Sequence, residues 1–165
     1  MKHINGAYHG KLIRVNLTTK EITTEEIPTD ILSDYVGGRG LGTRYLYDEV
    51  KAKADPLGEE NKLFFATGPI LGTSVPTAGR FSLISKSPLT GAVGCSSSGG
   101  HFGVDLKNTG YDMLIIEGKS ETPCYIYIEE NNAAIKDATG IWGKSTQETV
   151  DVLLEETKPK AGRAC

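Results

Sequence analysis

The chain reads as an α+β domain dominated by strands. Three observations point there. Short β-branched and aromatic runs recur along it: KLIRVN, EITTEEI, KLFFAT, MLIIEG and CYIYIEE. Only a few segments between them carry apolar residues at helical spacing. The two kinds of segment do not alternate strictly, as a doubly wound parallel sheet would require.

The elements follow in order. KLIRVNLTT and EITTEEI are β-branched and roughly alternating, and predict a β-hairpin whose Thr-Thr-Lys tip lacks an Asn-Gly or Asp-Gly signal. Pro28, Thr29 and Asp30 then offer a helix start before ILSDYV, and Gly37-Gly38 is expected to end that helix. A second helix is expected over Leu41–Val50, because Leu41, Tyr45, Leu46 and Val50 share one face. A polar loop, KAKADPLGEEN, leads to the buried-type strand KLFFAT. Two runs, Phe81–Ser85 and Ala92–Cys95, flank a Pro-Leu-Thr-Gly turn and predict a second hairpin. Gly100–Thr109 allows a short helix with Phe102 and Leu106 four apart, and MLIIEG is an inner-strand pattern. CYIYIEE and AAIKDA predict a third hairpin across Glu130-Asn131-Asn132. Ser145 and Glu148 have the spacing of a capping box, and Val150, Leu153 and Leu154 supply the apolar face of the helix that follows. The final KPKAGRAC has the composition of a strand entering a sheet, and the chain is expected to be a truncated or excised piece.

Composition narrows the function classes. A formal charge of −3 and a pI near 5.6 do not make a nucleic-acid footprint. No apolar run is long enough for a transmembrane helix, and MKHINGAYHGK lacks the apolar centre of a secretory signal. Cys95, Cys124 and Cys165 are widely spaced and odd in number, which fits free thiols in a reducing, cytoplasmic compartment.

The most informative stretch is PTAGRFSLISKSPLTGAVGCSSSGGHFG, from Pro76 to Gly103. It gathers Gly79, Gly91, Gly94, Gly99, Gly100 and Gly103 around Arg80 and the serines Ser96, Ser97 and Ser98. Glycines at strand ends let a backbone approach a ligand, and an arginine beside them is a partner for phosphate or carboxylate. The plainer reading is a hairpin with glycine-rich loops.

Other patterns fail. Gly143-Lys144-Ser145-Thr146 resembles the tail of a phosphate-binding loop, but Ala138 stands where the loop needs glycine. Gly38-Arg39-Gly40 opens a dinucleotide fingerprint that Thr43 breaks. Asn16-Leu17-Thr18 matches a glycosylation acceptor but lies in a predicted strand. His3, His9 and His101 have no metal spacing with any cysteine, and no C-x-x-C exists, so no metal ligand is assigned. No catalytic residue is assigned either, since no Ser-His-acid or paired-carboxylate set follows from spacing. The runs Glu25-Glu26, Glu59-Glu60 and Glu155-Glu156 are read as solvated faces.

The succession GKLIRVNLTTKEI, YVGGRGLGTRYLYDEV, DPLGEENKLFFATGPILGTSVPTAGRFSLISKSPLTG, SSGGHFGVDLKNTGYDMLIIEGKSETPCYIYI and DATGIWGKS resembles, in that order, the N-terminal part of tungsten-containing aldehyde ferredoxin oxidoreductases. The resemblance covers about residues 8 to 158. It implies a β-sheet-rich base beneath a bis-pterin cofactor that holds tungsten or molybdenum. It also implies oxidation of aldehydes to carboxylic acids, with electrons passed singly to ferredoxin. Carried over residue by residue, Arg80 would contact the phosphate side of the pterin, next to Gly79. Ser97, Ser98 and Gly99 would line the same cofactor. Family members commonly have asparagine where Ser97 stands, so a hydroxyl replaces an amide there.

On this likeness residues 1–165 are a pterin-cradling N-terminal domain, incomplete at its C-terminal end. The 4Fe-4S cluster of the family takes its cysteines from a later region, as does the substrate cavity. Two other readings stand beside it. One is a non-catalytic, split or truncated module that needs a partner chain or self-association. The other is a sister activity, such as reduction of a carboxylic acid or an aromatic thioester.

Overall fold

The computed structural model describes residues 7–130 and 132–157. The expected terminal strand KPKAGRAC, with Cys165, and also His3 lie outside the described residues. Strands β1 (Lys11–Asn16) and β2 (Ile22–Glu26) form the first hairpin, followed by α1 (Thr29–Tyr35), α2 (Gly38–Glu49) and β3 (Lys62–Ala66). Then come β4 (Phe81–Lys86), β5 (Val93–Ser98), α3 (Phe102–Asn108), β6 (Met113–Glu117), β7 (Cys124–Glu129), β8 (Asn132–Asp137) and α4 (Thr146–Thr157). The class is α+β, as the sequence predicts.

Six strands make one mixed sheet in the order β2-β1-β6-β3-β4-β5. The inner-strand pattern MLIIE is its centre: β6 runs parallel to β1 and antiparallel to β3. Strand alternation sends side chains to two different layers. Leu12, Phe64, Ile84, Met113 and Ile115 pack under α1 and α2 with Leu32, Leu41 and Leu46. Ile13, Val15 and Leu114 face the other way, toward Leu106 of α3 and the inner side of the separate β7–β8 hairpin.

The predicted helices exist, with one boundary corrected. Gly37-Gly38 does not end α1. Val36 ends it, with φ +63°, and Gly38 already belongs to α2, which begins three residues before the expected Leu41. Gly37, at φ +156°, lies so close to the end of β3 that a Cβ there would come within 2.9 Å of the Thr67 carbonyl oxygen. Val36 has ψ −55°, and the Gly37 N–H donates back to the Tyr35 carbonyl at 2.7 Å, so a tight three-residue γ-turn centred on Val36 ends the helix one residue before the glycine pair. Gly42, just beyond the Gly38-Arg39-Gly40 pattern, is needed for packing. Its absent Cβ would come within 2.4 Å of Ile84 Cδ1, so it lets α2 sit directly on β4.

Chain ends of the strands sort into two ends of the sheet. At one end Arg14 meets three carboxylates: Nε lies 2.6 Å from Glu25, and Nη1 lies 2.8 Å from Glu49 and 3.2 Å from Glu117. Lys62 joins the same cluster, 2.8 Å from Glu49 and 2.7 Å from Glu117. Glu25 is therefore a structural partner, not part of a solvated face. Asn16 of the failed glycosylation pattern works here too. Its Oδ1 accepts the main-chain N–H groups of Thr18 and Thr19, and its Nδ2 donates to Glu117.

The capping box is formed: Ser145 N–H donates to Glu148 Oε2 at 2.9 Å, and Glu148 N–H donates to Ser145 Oγ at 3.3 Å. Gly143-Lys144-Ser145-Thr146 thus leads into α4, with Thr146 its first residue. Tyr125 of β7 donates its hydroxyl to Glu156 of α4 at 3.2 Å, tying that helix to the hairpin.

Candidate cofactor-facing edge

The opposite end of the sheet collects the start of β4, the end of β5 and the end of β3, because Phe81 pairs with Ser98 and Ala66 with Ser82. Residues 67–80 and 99–101, the links from β3 to β4 and from β5 to α3, therefore leave the sheet side by side. A Cβ built on Gly79 would lie 3.4 Å from the Gly100 carbonyl oxygen. The structure thus brings Gly79 and Arg80 together with Ser98, Gly99 and Gly100, although some twenty residues separate them in sequence.

Strand β5 runs through Ser98, past the predicted end at Cys95. Among the described residues it is an edge strand, bonded to β4 on one side only, and all of it but Gly94 is exposed. Its three serines lie within the strand. Ser97 pairs with Ser82 and shares the α2 layer, whereas Ser98 pairs with Phe81 and faces the α3 layer. Adjacent strand residues point oppositely, so Ser97 and Ser98 present hydroxyls to different faces of one edge.

Arg80 is exposed and stands directly before β4. Its position is set by the next residue. Phe81 packs in an aromatic cluster with Phe65 and Phe102, with ring centroids 6.2 Å and 5.2 Å away. Gly103 of α3 presses on the same ring, since its missing Cβ would come within 3.1 Å of Phe81. Each aromatic contact of this kind adds about 0.5–1.5 kcal/mol beyond its buried area. The guanidinium thus projects from a rigid base.

Gly99 differs from Gly79, Gly100 and Gly103 beside it. It has no positive φ, and a Cβ on it would meet nothing within 4 Å. Neither backbone geometry nor packing within the described chain requires glycine there.

Sequence reasoning missed two groups beneath this edge. Lys107 and Asp112 form a buried ion pair at 2.6 Å. Lys107 directly follows the core residue Leu106, and Asp112 directly precedes the inner strand β6, which is the one local hint of burial. His9 and His101 are exposed. Among the described residues no group of three or more His, Cys, Asp or Glu side chains is placed to hold a metal ion.

Comparison with known proteins adds the lineage. The family model described as "Aldehyde ferredoxin oxidoreductase, N-terminal domain" matches residues 12–165. A tungsten-containing aldehyde ferredoxin oxidoreductase of Pyrococcus abyssi is 48% identical over 153 residues, which cover 93% of this chain and 25% of that protein. An "Aliphatic sulfonate oxidoreductase, WOR-like subunit" of Pyrococcus furiosus is 41% identical over 91% of this chain and 24% of its own length. Among solved structures, the active-site complex BamBC of benzoyl coenzyme A reductase, bound to 1,5-dienoyl-CoA, superposes with a TM-score of 0.90. It is 32% identical, over 93% of this chain and 24% of that one. The chain thus spans about a quarter of the length of these relatives.

Proposed function

This chain belongs to the aldehyde ferredoxin oxidoreductase family, and we propose that it forms part of the pterin cradle of an enzyme that oxidises aldehydes to carboxylic acids. In this reading Arg80 pairs with the cofactor's phosphate, and Gly79 and Gly99 admit the cofactor to the backbone. Ser97 and Ser98 donate hydroxyl hydrogen bonds from the two faces of the β5 edge. When bound, the tungsten–pterin group supplies the two-electron redox change, and the electrons leave singly to ferredoxin. The 4Fe-4S cluster and the substrate cavity would belong to the three quarters of the relatives' length that this chain does not span. A cytoplasmic location follows the same reading; among the described residues no helix is long and apolar enough to cross a membrane.

One observation carries the proposal at residue level. Gly99 leaves room that the described protein does not fill, on an open strand edge beside an exposed arginine. That donor set suits an anionic, planar ligand: a guanidinium for phosphate, and hydroxyls and main-chain groups of β5 for a ring with hydrogen-bonding edges. A charge-assisted hydrogen bond of this kind contributes about 1.5–3 kcal/mol. In the full-length protein, Arg80→Ala should lower the ratio of pterin and tungsten to protein. Unchanged metal and pterin content would remove Arg80 from the cradle.

A second reading, a sister activity in the same family, is favoured by the benzoyl coenzyme A reductase neighbour, since benzoyl coenzyme A is an aromatic thioester. The higher identity to the aldehyde enzymes favours the first reading. An aldehyde panel assayed with full-length protein and ferredoxin separates the two, and turnover of no aldehyde would reject the first.

A further inference from the structure

We propose that Lys107 and Asp112 are positioning residues for this cradle: their buried ion pair sets the spacing between the segment carrying Arg80 and the segment carrying Ser97–Gly100. The inference rests on the cradle reading above. It concerns two residues that touch no cofactor atom and act through the chain around them.

The pair is saturated with partners from four parts of the fold. Lys107 Nζ lies 2.6 Å from Asp112 Oδ1, and the two side chains are only 7% and 1% exposed. Lys107 also donates to the carbonyls of Ala7 at 2.9 Å and Gly68 at 3.2 Å, and it sits 5.4 Å from the centre of the Tyr8 ring. Asp112 Oδ2 accepts the Gly10 N–H at 2.7 Å. The Asp112 carbonyl accepts both the N–H of Thr67, at 2.9 Å, and its hydroxyl, at 2.8 Å.

Two of those parts are the roots of the cradle. Thr67 and Gly68 begin the link that ends at Arg80. Helix α3, which carries Lys107, begins at Phe102, just after Gly99 and Gly100. The two roots are also packed together between the pair and the edge. A Cβ on Gly72 would lie 3.8 Å from Lys107 Cγ, and one on Gly103 would lie 3.4 Å from Leu71 and 3.1 Å from Phe81. A shift of Lys107 therefore moves α3 and the 67–72 segment relative to each other, and Phe81 and Phe102 pass that shift to Arg80 and Ser98.

An apolar pair would bury the same space with less desolvation, but apolar contacts slide, whereas three ammonium donors aimed at three fixed acceptors specify one register. Cofactor binding needs that register, because displacement of a positioned group by about 1 Å is enough to weaken a preorganised site.

The test uses the full-length protein with Lys107→Met, the paired apolar variant Lys107→Met/Asp112→Leu, and Arg80→Ala in parallel. The paired variant removes the hydrogen bonds to Ala7, Gly68 and Gly10 but leaves no lone buried charge, so it separates folding from positioning. Hydrogen exchange should rise several-fold in both the 67–80 and the 97–101 segments of the paired variant. Its tungsten-to-protein ratio should fall several-fold in the folded fraction, a readout kept apart from any stability lost where Ala7, Gly68 and Gly10 lose their partners. Faster exchange in only one segment or in neither overturns the proposal. So does a wild-type tungsten ratio in the paired variant when Arg80→Ala has lost tungsten. If Arg80→Ala keeps its tungsten as well, the cradle reading itself has fallen and takes this inference with it.

Discussion

Arg14 and Arg80 stand toward opposite ends of one sheet and meet opposite fates. Arg14 is enclosed: Glu25, Glu49 and Glu117 surround its guanidinium, and Lys62 balances two of the carboxylates. Hydrogen bonding to Glu49 raises its pKa further, against the opposing effect of burial. Arg80 is exposed and forms no ion pair among the described residues. The contrast teaches how to separate two arginines that look alike in sequence. A cation answered by its own chain holds the fold, and a cation set on a rigid aromatic base but left open is available to a ligand.

The strongest way to break the comparison is at the closed end. Arg14→Met strands three carboxylates around Lys62. The side chain is 16% exposed, so the cost should fall below the ~3–5 kcal/mol of a fully buried pair, at about 2–3 kcal/mol. The urea midpoint of the full-length protein checks it, and a midpoint within error of wild type would show that the cluster is not structural.

The same variant should change the acid limb of stability. Burial pushes the Glu49 carboxyl up, but hydrogen bonds from Arg14 and Lys62 outweigh it and hold the pKa below the ordinary 4.5. Glu117 is lowered by the same balance, with Lys62 its main hydrogen-bond donor. Carboxyls lowered in the folded state stabilise it fully above the unfolded pKa, and that stability is lost as pH falls through the folded values. Wild type should therefore lose stability as pH drops below about 4.5, and Arg14→Met should lose less over the same interval. Parallel acid limbs would contradict the assignment.

A smaller effect is expected where α2 meets β4. Gly42→Ala gains about 1 kcal/mol of helix propensity but drives a methyl into Ile84. Overpacking costs about 1–3 kcal/mol, so the net change should be a loss of about 1 kcal/mol. In an Ile84→Val background the Cδ1 at 2.4 Å is gone, but the atoms at 3.0 Å (Cγ1) and 3.3 Å (Cβ) have counterparts in valine, so the loss on Gly42→Ala should shrink without vanishing. An equal loss in both backgrounds would mean that Ile84 is not the obstacle.

The smallest change in stability belongs to the open end. Gly99→Ala should leave the unfolding free energy within about 0.5 kcal/mol, because its Cβ meets no protein atom. Its tungsten-to-protein ratio should nevertheless fall. Full cofactor content in Gly99→Ala would make this glycine incidental.

Local chemistry made much of this legible. KLIRVN with ITTEE, the inner strand MLIIE and the Ser145–Glu148 box all declare themselves through alternation or capping. Three things were not local. Helix α1 stops at Val36 because the chain must turn beneath Thr67, and no propensity at Val36 says so. Ser96–Ser98 carry no β signal, and they form a strand because Phe81–Leu83 offers them a ladder. The Lys107–Asp112 pair looks like two surface charges until β6 and α3 bury it. At the candidate site, the glycines and Arg80 drew notice by composition, but their nearness to Ser98 exists only through the β4–β5 register.

The parallel pairing of β1 with β6 also has a bearing on biosynthesis. Leu12 meets Met113, so β1 waits during synthesis for a neighbour about a hundred residues downstream. At about 5–20 residues per second, that wait lasts roughly 5–20 s on the ribosome. Throughout it the β1–β2 hairpin carries Leu12, Ile13 and Val15 uncovered, with one edge unpaired. Distant pairings of this kind slow folding and lengthen exposure to aggregation, so the nascent chain is a natural client for a chaperone that shields short apolar strands.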